Sequence, residues 1–328
     1  MRKLISPLFV LSLLFCCYSC NEKEPVFPII KHLTADKIEA ENTGVIEMIV
    51  YKDLLIVTPV WPLTDNKIDV YSWPDLEFLY NMGLKGRGPD EVPQSATLLQ
   101  SNNSEYMYIM GIDSPMNIRR FAIDSTRRLL PMSDYSIGRL PTIIYKPFLI
   151  NDSIYIANDG AYKIVEKYDI INQEFLGEIK YATEANNSSR NSDAGRMLTN
   201  GDEISYIYFY RPDIYVYDIN TLELKRKIKT KSKKVSLPPD ENNPYRFYMS
   251  AFAGEKYYYL LYIGDYAANY HASIGQIEVY DHDWNPVIKY TFDIAPVTFI
   301  VDEDRGIIIG SNHWCDYPDH FLIYDINR

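Results

Sequence analysis

Cysteine is nearly absent from this chain once its first twenty residues are set aside. Three of the four cysteines are Cys16, Cys17 and Cys20, and the fourth is Cys315. With a leader removed before Cys20 and Cys20 blocked by lipid, Cys315 is the one thiol left. No intramolecular disulfide is then available, so the fold must rest on an apolar core, which a chain this long can build. Positive charge is also in short supply: 33 Lys and Arg stand against 44 Asp and Glu, a formal net charge of −11. A nucleic-acid partner requires a basic footprint, and this balance argues against one. Beyond the leader no apolar run is long enough to cross a bilayer, and no stretch shows the 3.6-residue period of an amphipathic helix. A complete phosphate-binding loop is missing too. The stretch NMGLKGRGPDEV has Gly83, Gly86 and Gly88 beside Lys85 and Arg87, but Pro89 and Asp90 follow and no helix succeeds them. Walker and Rossmann turns need that helix, so the glycines read as an inter-strand linker.

What is present begins with MRKLISPLFVLSLLFCCYSC. Arg2 and Lys3 precede a short apolar run, the pattern of a signal peptide. Ser19-Cys20 resembles a lipobox, with Cys17 departing from the usual Leu. The expected organisation is a lipoprotein signal peptide over 1–19, a lipidated tether over 20–31 and a single domain over 32–328. An ordinary cleaved signal peptide is the plainer alternative. Several acyl chains on Cys20 would give stable membrane attachment, where one is marginal.

A pattern of alternating β-branched and aromatic residues, then a Tyr or Phe, then often Asp and a turn, recurs along the chain. Its aromatic positions are Tyr71, Phe121, Tyr168, Tyr217, Tyr280 and Tyr324, spaced roughly 50 residues apart as in propeller blades. Each copy reads as the third and fourth strands of a blade. The pairs VIEMIVY/LLIVTPV, KPFLI/SIYIAN, RFYMSAF/KYYYLLYI and VTFIV/GIIIG read as first and second strands. The last copy lacks a fourth strand, and the segment from His32 to Ala40 is free to supply it, which removes exposed edges. The expected fold is all-β, a six-bladed β-propeller of four-stranded antiparallel blades closed by an N-terminal strand. Seven blades is the runner-up, since the longest interval, Tyr217 to Tyr280, has room for a degenerate unit. Two long loops account for that interval better.

The segment MGLKGRGPDEV, followed by YMYIMGIDSPMNIRRFAID, resembles an NHL-type propeller repeat, most specifically at Gly86, Gly88, Pro89 and Glu91. With the lipoprotein start and the LTADKI segment, the chain resembles the six-bladed, TolB-like propeller lipoproteins of Gram-negative anaerobes. That resemblance implies an outer-membrane lipoprotein, periplasmic or surface-exposed, without an assigned activity.

In a four-stranded blade the connections between strands two and three share one face with the inter-blade linkers. This face gathers Trp61, Arg87, Arg211, Tyr266, His271, His313 and Trp314, with acids such as Asp90, Glu91, Asp113 and Asp159. Aromatic rings with polar neighbours on loops of a rigid scaffold suit a glycan, a peptide or an envelope-protein partner. The same residues can also be mere cover for the core rim. The group His313-Trp314-Cys315-Asp316 with His320 has metal-ligating types but matches no closed zinc spacing. Glu47 is a candidate channel carboxylate for a lactonase-like ion. The basic run Lys225 to Lys234 reads as a solvated edge. The leading expectation is a non-catalytic binding or scaffolding lipoprotein with no cofactor. The alternative is a metal-dependent hydrolase or lyase with its site at the central channel.

Overall fold

A computed structural model describes residues 24–41, 43–61, 64–86, 91–92, 96–101, 105–111, 117–136, 144–159, 163–180, 193–235, 240, 242–271 and 274–328. Among them there is no α-helix. The strands, in chain order, are β1 (Ile29–Leu33), β2 (Asp36–Glu39), β3 (Thr43–Tyr51), β4 (Leu54–Trp61), β5 (Asn66–Ser72), β6 (Phe78–Lys85), β7 (Glu91–Val92), β8 (Ala96–Ser101), β9 (Met107–Gly111), β10 (Asn117–Ile123), β11 (Leu129–Ser136), β12 (Ile144–Leu149), β13 (Ile154–Asp159), β14 (Lys163–Asp169), β15 (Glu174–Lys180), β16 (Gly195–Thr199), β17 (Glu203–Tyr208), β18 (Asp213–Asp218), β19 (Leu224–Lys229), β20 (Tyr245–Ala253), β21 (Tyr257–Tyr266), β22 (Gln276–Asp281), β23 (Pro286–Phe292), β24 (Thr298–Asp302), β25 (Ile307–Ser311) and β26 (His320–Asp325).

They form four-stranded antiparallel meanders in a β-propeller arrangement. Four sheets stand apart: β3 to β7, β16 to β19, β20 to β23 with β1 added, and β24 to β26 with β2 added. The meanders β8 to β11 and β12 to β15 do not separate as the repeats predict. Their inner strands come close enough to pair in parallel, Phe148 with Gln100 and Leu149 with Ser101, which joins them into one eight-stranded sheet. The first strands of the meanders surround an axial cavity, to which Glu47, Gln100, Phe148, Arg196, Phe252 and Thr298 each contribute from a different strand.

The sequence repeat has a local physical cause. A register shift between strands three and four falls beside Tyr71, Phe121, Tyr168, Tyr217 and Tyr280 in turn. Such a bulge increases local twist and turns the aromatic ring toward the neighbouring sheet. Tyr71, Phe121, Tyr217, Tyr280 and Tyr324 are buried, while Tyr168 is half-buried. The following Asp closes the turn. Asp218 accepts from the backbone N–H groups of Asn220 and Thr221, both at 2.9 Å, and Asp169 and Asp281 do the same in their own turns. Each turn then needs a left-handed residue before the last strand. Leu76, Arg127, Gln173, Leu222 and Trp284 take it at φ of 54° to 67°. A short acceptor side chain at the start of the turn offsets this backbone cost.

Residues 24 to 31, expected as tether, are part of the folded unit. Phe27 is buried with its ring edge-on to Tyr280 at 5.3 Å, and Glu24 accepts from Ser232 N at 2.9 Å. β1 then adds to β23 as a parallel fifth strand. Next, β2 pairs antiparallel with β26, Asp36 opposite Ile323 and Glu39 opposite His320, and so supplies the strand the last meander lacks. At the junction Gly44 has φ of 70°, and a Cβ there would stand 3.0 Å from His313 Cβ. Glycine lets the first long strand pass close under the last loop. The glycine-rich linker has a structural use as well. β7 pairs with the end of β6, and a Cβ on Gly86 would collide with the Glu91 carboxylate.

Candidate functional site

Two places combine polar chemistry with a rigid frame: the axial cavity, and the face where second strands pass into third strands.

In the cavity, Glu47 Oε2 accepts from Leu98 N at 2.9 Å. Arg196 donates to Ser250 Oγ at 2.9 Å, and burial depresses its guanidinium pKa while the Glu47 charge partly restores it. The cavity volume is about 50 Å³. That holds a water or an ion, not a sugar ring.

On the loop face, the turn Phe209 to Pro212 after β17 packs against the start of β20, where Phe247 N donates to Phe209 O at 2.7 Å. Arg246, in that start, lays its guanidinium 5.5 Å from the Tyr210 ring centre and donates to Tyr210 Oη at 3.1 Å. Lys233 Nζ lies 3.7 Å from the Tyr245 ring centre and 5.6 Å from that of Tyr266. Tyr245 and Tyr266 meet edge to face at 5.1 Å. The chain after β21 is pinned by Ala268 N on Asn243 Oδ1 at 2.8 Å, which presents Tyr270. Tyr270 stacks on Trp314 of the β25–β26 connection, 5.7 Å between centres and 29° between planes. This stack bridges two sheets, and Tyr266 (42%) and Trp314 (40%) leave much of their surface exposed.

Three donors on this face are shielded from water without an acceptor among the described residues: Arg211 Nε, Arg246 Nε and Tyr270 Oη. Burial is also the main reason the Tyr270 hydroxyl pKa is raised, and Arg246 pulls it back. Unmet buried donors cost ~1–3 kcal/mol each, so a fold keeps few of them.

The expected site residues divide. Arg211, Tyr266, His271, His313 and Trp314 all lie on this face, with His271 exposed just after Tyr270. Arg211 is already engaged: its guanidinium meets Asp193 at 2.6 Å and covers the Tyr208 ring at 3.7 Å. That places it in the frame more than at the surface. Trp61 ends β4 opposite Thr43, whereas Cys20, Arg87, Asp90 and Asp113 lie outside the described residues. The residues that sequence reasoning passed over are Tyr210, Lys233, Arg246 and Tyr270. Arg246 was hidden inside the apolar strand pattern RFYMSAF, and only its lack of an apolar partner type marked it. Among the described residues no three His, Cys, Asp or Glu side chains converge as a metal cluster. The group around Cys315 is spent on its own loop. Cys315 Sγ donates to Asn312 O at 2.9 Å, Asn312 Oδ1 accepts from Trp314 N at 2.8 Å, and His320 pairs with Asp319 at 2.8 Å.

No protein-family model matches the sequence. No curated protein matches it either. Solved structures do. A member of the DUF4221 family from Bacteroides vulgatus aligns at a TM-score of 0.62 and 12% identity, over 89% of this chain and 97% of its own. A structure from Bacteroides fragilis, described as that of an exported protein, aligns at 0.57 and 13% identity, over 90% and 98%. At such identities the likeness is one of fold.

Proposed function

We propose that this protein is a non-catalytic, six-bladed, TolB-like or NHL-like propeller lipoprotein of the Gram-negative outer membrane. It recognises a glycan, peptide or envelope protein on the loop face. The carrying observation is the cluster of Arg246, Tyr266, Tyr270 and Trp314, drawn from two sheets and braced by Tyr210 of a third, with exposed rings and unmet donors. Counting the eight-stranded sheet as two blades gives six, in keeping with six first strands around the axial cavity. The exported Bacteroides neighbour supports an envelope location. Glu24 is fixed on Ser232, the residue before Lys233 of the cluster, and lies four positions after Cys20. Lipid on Cys20 would leave at most about 14 Å of chain, which holds this face near the membrane surface. A channel hydrolase or lyase has Glu47 in its favour, but Glu47 is held by Leu98 N–H beside Arg196 in a space too small for a sugar.

Recognition is tested by pull-down from envelope extracts and by a glycan array. Once a ligand is found, Tyr266→Ala and Trp314→Ala are expected to weaken binding by ~1–2 kcal/mol each, with the melting temperature nearly unchanged. Tyr280→Ala, in contrast, is expected to cost ~3–5 kcal/mol of stability, because that ring is fully buried between sheets. Loop variants that unfold as readily as Tyr280→Ala would make the loop rings structural. The anchor has its own check. Cys20→Ala is expected to abolish acyl labelling and leave an unprocessed or unlipidated protein; normal labelling of that variant would rule out Cys20.

A further inference from the structure

Several cations on this acidic chain are neutralised in place. Arg211 has Asp193, Lys231 and Lys289 share Glu278, Lys225 and Arg226 share Glu203, and Arg305 has Asp302. Arg246, on the loop face, has no such pair among the described residues. Its hydrogen bond is to a neutral phenol, its ring contacts are Phe209 and Tyr210, and among the described residues no carboxylate reaches it. A guanidinium only donates, and a half-buried one without a counter-charge is costly unless an anion arrives. The Tyr270 hydroxyl is close enough to feel its charge and also lacks an acceptor. Asp265, opposite Arg246 across β20 and β21, makes no ion pair with it and is turned to its own loop, where its Oδ1 accepts from Tyr266 N and Asn269 Nδ2, both at 2.7 Å. Lys233 adds a second positive charge over Tyr245 and Tyr266. Beside these donors stand the exposed faces of Tyr266 and Trp314, flat platforms of the size of a pyranose ring.

We propose that the loop-face site binds an acidic saccharide, its carboxylate taken by Arg246 and the Tyr270 hydroxyl and its ring lying on Tyr266 or Trp314. The proposal rests on the recognition reading above and narrows it to one ligand class. An anion fits because every unmet group is a donor. A saccharide fits better than an acidic peptide because the platforms are exposed flat rings, which stack on a sugar ring rather than pair with an extended backbone. Arg246 supplies the charged fork that matches a carboxylate, which a lysine would not reproduce.

The experiment uses the full chain and a panel of oligosaccharides ending in glucuronate, galacturonate or sialate, each beside its carboxyl-reduced alcohol. At least one acid is expected to bind, with its reduced form at least ~10-fold weaker, as expected for a hydrogen bond to a charged group. Arg246→Gln should weaken the acid by ~10- to 100-fold toward the affinity of the reduced form, with only a small fall in melting temperature, since its bond to Tyr210 Oη is lost but no described ion pair is broken. Arg246→Lys should recover only part of the loss. Tyr266→Ala should weaken acid and alcohol alike. Equal binding of the two forms, or an Arg246→Gln variant that binds normally, overturns this proposal and leaves saccharide recognition standing. Binding of acidic peptides with no saccharide bound overturns it as well. Failure of every saccharide and peptide tested removes the recognition reading together with it.

Discussion

Glu278→Ala is expected to destabilise the protein by ~3–5 kcal/mol, read as a shift in the urea unfolding midpoint. Glu278 is fully buried (0% exposed) and stands 2.5 Å from Lys231 Nζ and 3.5 Å from Lys289 Nζ. Its other oxygen accepts from Tyr280 Oη at 3.0 Å and Tyr248 Oη at 3.3 Å. Removing it strands a buried ammonium and leaves two hydroxyls without their acceptor, the costly half of breaking a buried pair. Both ammonium groups also lie against the Phe27 ring, at 5.9 Å and 4.9 Å from its centre. The same variant should therefore loosen the N-terminal segment, seen as faster amide exchange over residues 24–33. A second variant separates charge from packing. Glu278→Leu with Lys231→Met should recover most of the loss, because buried pairs replaced by apolar groups of like volume are often neutral. A loss under ~1 kcal/mol in the alanine variant would mean that Lys231 reaches water after all.

Removal of His32 to Ala40 is expected to cost at least ~3 kcal/mol, lowering the melting temperature by on the order of 5 °C. The side chains of β2 are exposed, so little of this comes from them. It comes from Leu33 and Ala35, which are buried against Phe292 and Tyr324, and from baring the edge of β26. An open edge also invites pairing with another chain, so the deletion should raise aggregation at equal concentration. Leu33→Ala tests the packing share alone, at ~2–5 kcal/mol with the ladder intact. An unchanged melting temperature in the deletion would show that the contact of Gly44 with the last loop suffices to hold the ring.

How far the sequence reached depended on the range of the interaction involved. Near-continuous apolar or aromatic runs without helical period, LLIVTPV and KYYYLLYI, mark strands buried on both faces, a signal read within a few residues. The Tyr-Asp turn is also local: Asp218 closes its own backbone, and the bulge at Tyr217 sits one residue before it. All-β architecture and the closing strand at Asp36–Glu39 were legible from such signals. The expectation of export rests on the pattern of the first twenty residues, which lie outside the described residues. By contrast, the joining of two meanders into an eight-stranded sheet needed Gln100 and Phe148 to meet, which no local pattern specifies.

The site divides the same way. Tyr266, His271, His313 and Trp314 could be chosen because loop-borne aromatic and polar residues stand out in sequence. Arg211 stood out equally and proved to be bound to Asp193, because a side chain's partner can be eighteen residues away or more. Arg246 and Tyr270 gained meaning only in three dimensions. The first needed Tyr210 from a neighbouring sheet, the second Trp314 from another. The sequence by itself determined the strands and their turns, through contacts between near neighbours. Which cation was left without a counter-charge was decided by the tertiary structure, since pairing depends on distances across sheets that only packing fixes.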